Sequence, residues 1–502
     1  MRIEVISPHD CGADFEITGI PKHAERVDIE INNKFQDGLC ITKEYPIKQG
    51  RISVNGLLNN CEHTVRAIAY AKDGSVLEKS GIRKLYPNYI PGKCIAYIHP
   101  YDSVFDPAGR YFGSPSIVKL PNGDLLASHD LFIDPSPNRF GVDFSDRPAE
   151  EICVTKIYKS SDNGLNWNFL CDIKRCTFGK LFTFKGKVYI IGLCASSSDR
   201  LNDPYNLLER NNAFASDDRG QLDIGLFCSE DFGATWGDMC NITGVRFKGN
   251  FHKAATPVVE YGGRLWTAVD TPKDKESGYG VAAASVSVDD DIMNPGNWSI
   301  TAPFIYYDKT WENTVDGVWP YMLEEANAVP GKDGCMYVFT RYNSVNYDAE
   351  FINNDDDGLR VGVFKADVNK PDKPLEFVEM RHFMGSLSKF TINYDEESEK
   401  YYSLVSRATE KHCCQRNILS LVSSADLINW KIERDCLNIM DLNWYQNCQE
   451  AGLYYCDWVF DGNDIIAVCR TGLHDCVNYH NSNMMTFHRF TDFRERNYVW
   501  GE

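Results

Sequence analysis

Short runs in which apolar and polar residues alternate recur along almost the whole chain, separated by turn residues. A period of two marks half-buried β-strands. In residues 1–88 this pattern predicts strands at Val27–Ile31, Leu39–Thr42, Arg51–Val54, Thr64–Tyr70 and Val76–Lys79, with Asp73-Gly74 as the turn inside the last pair. Tyr86-Pro87-Asn88-Tyr89-Ile90-Pro91-Gly92 reads as a linker. Beyond it a strand–turn–strand unit repeats. Its first copy is Ser116–Leu120, Pro121-Asn122-Gly123-Asp124 and Leu125–Ser128. Later copies begin at Lys180, Thr256, Asn327, Lys389 and Asp457, with turns at Lys185-Gly186, Gly262-Gly263, Asp333-Gly334, Asp395–Glu399 and Asp461-Gly462. Successive copies start roughly 70 residues apart. No stretch with the period of an amphipathic helix competes with them.

After most copies come two further strands, and two of the connecting turns carry one motif. Ser160-Ser161-Asp162-Asn163-Gly164-Leu165-Asn166-Trp167 and Ser229-Glu230-Asp231-Phe232-Gly233-Ala234-Thr235-Trp236 both fit S-x-D-x-G-x-x-W. The Asp side chain can bond backbone N–H groups of its own turn. The Gly adopts a conformation other residues resist, and the Trp folds back to bury a large apolar face. Ser423–Trp430 keeps a remnant of the motif. Four antiparallel strands repeated six times predict an all-β chain built as a β-propeller of six blades, with a seventh, degenerate blade left open. The strand near Cys94–Ile98 is expected to complete the last blade. The predicted domains are therefore a β-sandwich over 1–88, which resembles immunoglobulin or fibronectin type III modules, and a propeller over 94–502.

Composition narrows the partners. A formal net charge of −19 argues against nucleic acid, because the phosphate backbone rewards basic surfaces. No apolar run reaches transmembrane length, so no membrane partner is expected. The first residues, Met1-Arg2-Ile3-Glu4-Val5, do not read as a secretory leader. The 18 cysteines are scattered without a C-x-x-C pair, which fits free thiols in a reducing compartment. The expected localisation is cytoplasmic.

A propeller places the residues before the first strand and after the second strand of each unit on one face around the axis. The candidates there are His129 and Asp130, His252, Lys253 and Asp270, Glu324, Glu325 and Arg341, Lys389 and Arg407, and Tyr455, Asp457 and Arg470. Arg341, Arg407 and Arg470 each follow a second strand at the same place, and arginines can fork onto a carboxylate. Glu325, His129, Asp130 and His252 are candidates for moving protons. Lys253, Tyr455 and Asp270 are candidates for binding substrate. His474, His480, Asp475 and Cys476, or His412-Cys413-Cys414, match no metal-ligand spacing, so no metal and no cofactor is expected.

The two turn motifs with Asp162, Gly164, Trp167, Asp231, Gly233 and Trp236, the repeat and the arginine placement resemble the Asp-box sialidase superfamily. Ser114-Pro115-Ser116, Ser128-His129-Asp130, Lys389–Asp395, Asp464–Thr471 and Thr486–Arg489 resemble bacterial sialidase-like proteins in particular. The resemblance implies structural Asp-boxes in outer turns. It also implies an arginine triad for the substrate carboxylate, a Tyr–Glu nucleophile pair and an Asp acid/base. Glu325 precedes Arg341 as the sialidase glutamate precedes an arginine, and Arg407 or Arg470 could complete the triad. The chain departs at the first blade, where Tyr111-Phe112-Gly113-Ser114-Pro115-Ser116 carries no F/Y-R-I-P arginine. The expectation is an exo-acting glycoside hydrolase on sialic- or uronic-acid oligosaccharides, with Glu325 and His129 handling protons. A lyase of uronic-acid glycans using His129 or His252, and a non-catalytic carbohydrate-binding propeller, are the alternatives.

Overall fold

A computed structural model describes residues 1–33, 50–99, 110–133, 154–174, 176–195, 222–237, 240–242, 251–270, 280–302, 304, 322–343, 359–409, 415–439, 451–474, 476 and 478–495. The expected strand Leu39–Thr42, and His412, Cys413, Cys414 and Asp475 among the metal candidates, lie outside them. Alternation does what it predicts in the N-terminal part. His63–Tyr70 turns Val65, Ala67 and Ala69 inward, and Gly50–Asn55 turns Ile52 and Val54 inward. Two antiparallel sheets result. One holds Arg2–His9, Gly12–Thr18 and Gly50–Asn55; the other holds Arg26–Asn33, His63–Tyr70, Val76–Lys79 and Arg83–Leu85. The strands Arg2–His9 and Gly12–Thr18 were not foreseen from the pattern. They pair through a bulge between Val5 and Ser7. Phe15, Val27, Ile29, Ile52, Val65 and Ala67 lie in one shared core.

Six four-stranded antiparallel sheets follow among the described residues. Sheet one is Ser116–Lys119, Leu125–Ile133, Val154–Ser160 and Asn168–Lys174, with Arg110–Phe112 added beside Leu125–Ile133. Sheet two is Cys176–Phe184, Lys187–Ala195, Leu222–Ser229 and Cys240–Asn241. Sheet three is Val259–Tyr261, Arg264–Asp270, Val281–Ser287 and Trp298–Ile300. Sheet four is Met322–Pro330, Met336–Asn343, Arg360–Ala366 and Glu376–His382. Sheet five is Ile392–Asp395, Lys400–Ser406, Ile418–Ser424 and Trp430–Asn438. Sheet six is Gly452–Asp461, Asp464–Gly472 and Met484–Phe490, closed by Lys93–Tyr97 from before sheet one.

Each sheet is apolar on both faces because each packs between two others. Ile157 and Ile173 of sheet one meet Leu181 and Ile190 of sheet two. Leu193 and Leu226 of sheet two meet Val269 and Val286 of sheet three. Trp266 of sheet three meets Leu323 and Val338 of sheet four. Val361 and Val363 of sheet four meet Tyr401 and Val422 of sheet five. Tyr402 and Leu421 of sheet five meet Trp458 and Ala467 of sheet six. Ile466 and Val468 of sheet six meet Ile117 and Ala127 of sheet one, which closes the circuit. This circuit is the arrangement of a β-propeller. The core of the N-terminal sheets runs on into Ile439, Ala451, Leu453, Leu473 and Met484, so the two parts share an apolar boundary.

The motif turns act as the sequence predicts. Asp162 accepts from Asn166 N (2.9 Å) and Ser160 Oγ (2.8 Å), and Trp167 Nε1 donates to Gly164 O (3.1 Å). Asp231 and Trp236 repeat this, with Thr235 N at 2.8 Å and Gly233 O at 3.0 Å. The remnant at Asp426 does so too, with Asn429 N at 2.8 Å.

Candidate active site

The ring is built from strands, yet three of its inner strands are broken in the same way. Pairing slips between Thr177 and Lys180 in sheet two, between Glu324 and Asn327 in sheet four, and between Tyr454 and Asp457 in sheet six. In each slip one residue takes a left-handed backbone: Phe178 (φ 57°), Glu325 (φ 59°) and Tyr455 (φ 52°). A bulge re-aims the side chain it carries. A non-glycine residue at positive φ costs about 1–3 kcal/mol unless its surroundings hold it. The surroundings are visible. Asp270, at the end of the second strand of sheet three, accepts from Glu325 N (2.8 Å) and Ala326 N (3.2 Å). Asp130, at the matching place in sheet one, accepts from Phe178 N (2.6 Å) and Thr155 Oγ1 (2.6 Å).

The bulges bring Glu325 and Tyr455 together across the ring, where the Tyr455 hydroxyl favours the Glu325 carboxylate. Arg341 Nη1 lies 2.9 Å from Glu325 Oε2 and 3.2 Å from Glu324 Oε1. Its other nitrogens donate to Ser386 O and Leu387 O, both at 3.1 Å, so the guanidinium is fixed by backbone. Arg416 Nη2 donates to the same Leu387 carbonyl at 3.3 Å. Its guanidinium lies 4.7 Å from the Tyr454 ring and 5.8 Å from the Tyr455 ring. Arg470 lies 5.5 Å from Tyr455, 4.9 Å from Tyr454 and 5.1 Å from Tyr111, and donates to His480 O. Its Nε is buried without a hydrogen-bond partner among the described residues. His480 feels all three arginines. Burial first, then Arg470, Arg416 and Arg341, push its pKa down to about 3.

On the sheet-three side, His252 Nδ1 sits 2.7 Å from Asp270 Oδ2 and its ring stands edge-on to Phe178 at 5.1 Å. Burial works against the imidazolium, but Asp270, Glu324 and Glu325 outweigh it and raise the His252 pKa. Burial lifts the Tyr455 phenol well above its ordinary value, with Glu325 adding to it. For Glu325 burial is opposed by Arg341, Tyr455 and His252, and the net direction is downward. The resting pair is thus a protonated phenol beside a carboxylate.

Several expected site residues stand elsewhere. His129 is packed in sheet one between Phe112 (4.4 Å) and Tyr158 (5.4 Å), with Nδ1 3.0 Å from Asp130 O. Strand alternation turns it away from the sheet-two side that Asp130 faces, and burial pushes its pKa down to about 3. It is a core histidine. Asp130 holds the Phe178 bulge, and burial raises its pKa to about 7. Lys253 spends its ammonium inside sheet three, on Thr267 Oγ1 (2.8 Å), Thr256 Oγ1 (3.1 Å) and Ala268 O (3.1 Å). Arg407 forks onto Asp435 and bonds Ser420 Oγ at 3.1 Å within sheet five, away from Arg341. Arg416, which stands just before the third strand of sheet five, is the arginine from this sheet that shares the Leu387 carbonyl with Arg341. The repeat points only to residues flanking the first two strands of each unit, so no local signal marks Arg416. His474 bonds Tyr89 O at 2.7 Å, a structural role.

No family model and no curated protein matches the chain. Among solved structures, a protein of unknown function from Dyadobacter fermentans is similar at 13% identity and a TM-score of 0.48, covering 80% of this chain and 100% of that one. Trypanosoma rangeli sialidase in complex with the inhibitor DANA is similar at 11% identity and a TM-score of 0.48, covering 85% of this chain. The match spans 57% of the length of that sialidase. A GH43 endo-arabinanase from Bacillus licheniformis is similar at 12% identity and a TM-score of 0.33, covering 62% and 92%. Likenesses this distant do not assign an activity, so the site rests on its own geometry.

Proposed function

We propose that this chain is a six-bladed, sialidase-like propeller with an immunoglobulin- or fibronectin-like sandwich over 1–88, and that it is an exo-acting glycoside hydrolase of acidic oligosaccharides. The observation that carries the reading is the meeting of Tyr455 and Glu325, each on a bulge, with Arg341, Arg416 and Arg470 around them. Guanidiniums held rigid by carbonyls and ring faces suit the planar carboxylate of one terminal sugar. An anionic sugar also repels a carboxylate nucleophile. A phenol approaches it uncharged and needs a base only as the bond forms. Glu325 is that base. A substrate carboxylate on Arg341 competes with Glu325 for the same cation, which relieves the main force holding the Glu325 pKa down. Substrate binding thereby makes Glu325 more basic when Tyr455 must lose its proton. His252, oriented by Asp270, stands beside the two glutamates.

The test is a panel of aryl glycosides of sialic acid and of uronic acids. Turnover of at least one is expected, and Glu325→Gln should lower kcat by on the order of 10² to 10⁴-fold. Tyr455→Phe should abolish the covalent intermediate trapped by a fluorinated glycoside. An unsaturated product absorbing in the ultraviolet would replace this reading with a lyase. Binding of free sugar acids without turnover of any substrate would replace it with a binding module.

A further inference from the structure

The pocket holds more carboxyl groups than its nucleophile pair uses. Glu324 and Glu325 are consecutive, and in a regular strand their side chains would point to opposite faces. The bulge between Glu324 and Asn327 cancels that alternation. As a result Glu324 Oε1 and Glu325 Oε2 lie 3.2 and 2.9 Å from the same nitrogen, Arg341 Nη1. Both are buried, Glu324 at 9% exposure and Glu325 at 3%. One guanidinium nitrogen cannot neutralise two carboxylates. We propose that Glu324 is the proton donor of the reaction, a neutral carboxylic acid that protonates the leaving-group oxygen. The inference rests on the hydrolase reading above.

The charges facing Glu324 support the assignment. Among the described residues they include Arg341 from its own sheet, Glu325 beside it, and His252 and Asp270 from the sheet-three side. Among the described residues, three carboxyls thus share Arg341 and His252 as their nearest cations, and a neutral Glu324 lowers the repulsion among them. Glu325 is the wrong one to keep it, because Arg341 and the Tyr455 hydroxyl both favour its anion. Glu324 is pushed up to about 7, by burial first and by Glu325 as well. Neighbouring acids whose environments drive them apart divide into acid and base. In the step, the Tyr455 oxygen bonds to the anomeric carbon and the Tyr455 proton passes to Glu325. The bond from that carbon to the leaving oxygen breaks, and the Glu324 proton goes to that oxygen. Water then cleaves the tyrosyl–sugar bond. Its proton returns to Glu324, its hydroxyl goes to the sugar, and Glu325 returns the proton to Tyr455.

The experiment compares wild type and Glu324→Gln on two substrates with one acidic sugar. One leaves as an acidic phenol and the other as a sugar alcohol. The expected loss in kcat/KM is on the order of 10² to 10⁴-fold for the sugar alcohol and less than about tenfold for the phenol, with the alkaline limb of the pH profile removed. Equal losses on both substrates, no loss on either, or the same leaving-group dependence appearing in His252→Gln instead would overturn the assignment. Wild-type inactivity on both would sink the hydrolase reading itself. A second readout needs no substrate. Protein labelled with ¹³C at glutamate carboxyls should show one carboxyl titrating near neutral pH that is missing in Glu324→Gln. Its absence from the wild-type spectrum would also overturn the assignment, and the same spectra establish that the variant is folded.

Discussion

His129 shows what burial does to a residue that the sequence makes look chemical. Its Nδ1 donates to Asp130 O and its Nε2 faces the Tyr158 hydroxyl at 3.4 Å, so the folded state holds the neutral ring. The unfolded chain takes a proton near pH 6.5, whereas the folded one resists until about pH 3. The unfolded state therefore binds more protons as pH falls, and the contribution present above pH 6.5 is lost progressively between 6.5 and 3. By pH 5 the loss from this one group is about 2 kcal/mol. His129→Phe keeps the ring packing and removes the titration. Its melting temperature should lie below wild type at pH 7.5, and the gap should narrow by pH 5; a constant gap would contradict the buried, neutral state. The same residue marks a boundary of what the sequence made legible. A His before an Asp at the end of a strand says nothing about which of the two faces the next sheet, and here the Asp does. Arg416 was hidden for the complementary reason. It precedes a third strand, and only the tertiary path of sheet five carries it to the Leu387 carbonyl that Arg341 also uses.

Turns carry their meaning at the scale of the element. Gly123 and Gly164 both sit at φ 89°, so an alanine at either meets the same backbone strain, roughly 1 kcal/mol or more. Their surroundings differ. A Cβ on Gly123 meets nothing within 4 Å, whereas one on Gly164 would come to 2.1 Å from Phe487 Cε1 of sheet six. Gly164→Ala should therefore cost clearly more than Gly123→Ala in urea unfolding, by about 1–3 kcal/mol of overpacking, with kcat/KM unchanged in both. Equal costs would mean that the Asp162 turn does not lock sheet one onto sheet six. The strand–turn–strand units and the motif turns were legible because each is closed within about ten residues by its own Asp, Gly and Trp. The bulges were not. Glu325, Tyr455 and Phe178 sit in runs that read as ordinary strand, and what displaces Glu325 and Phe178 is a carboxylate from the preceding sheet, Asp270 or Asp130. The placement of Glu325 depends on that long-range bond, and no local pattern contains it.

A closed ring fails as a whole unless its axis is tied, and Asp457 is where several sheets meet. From sheet six it accepts Ser116 Oγ (2.8 Å) and Ile117 N (2.9 Å) of sheet one and Lys180 Nζ (2.6 Å) of sheet two. Lys389, just before sheet five, reaches to 3.9 Å and donates to Cys456 O at 2.9 Å. These groups are buried, Asp457 at 0% and Lys389 at 2% exposure, so no solvent replaces a missing partner. Removing one member of such a set leaves an uncompensated buried charge and costs about 3–5 kcal/mol, whereas replacing both members by apolar groups can cost little. Asp457→Ala should lower stability by that amount, and adding Lys180→Met should recover part of it, so the two changes are strongly non-additive. The measurement is a double-mutant cycle in urea, read together with the unfolding slope. Additive losses would mean that the lysines are neutralised elsewhere and that the axis is not held by Asp457. A recovered midpoint at unchanged slope would show that Asp457→Ala loses stability through the uncompensated charge of Lys180 inside a ring that still closes.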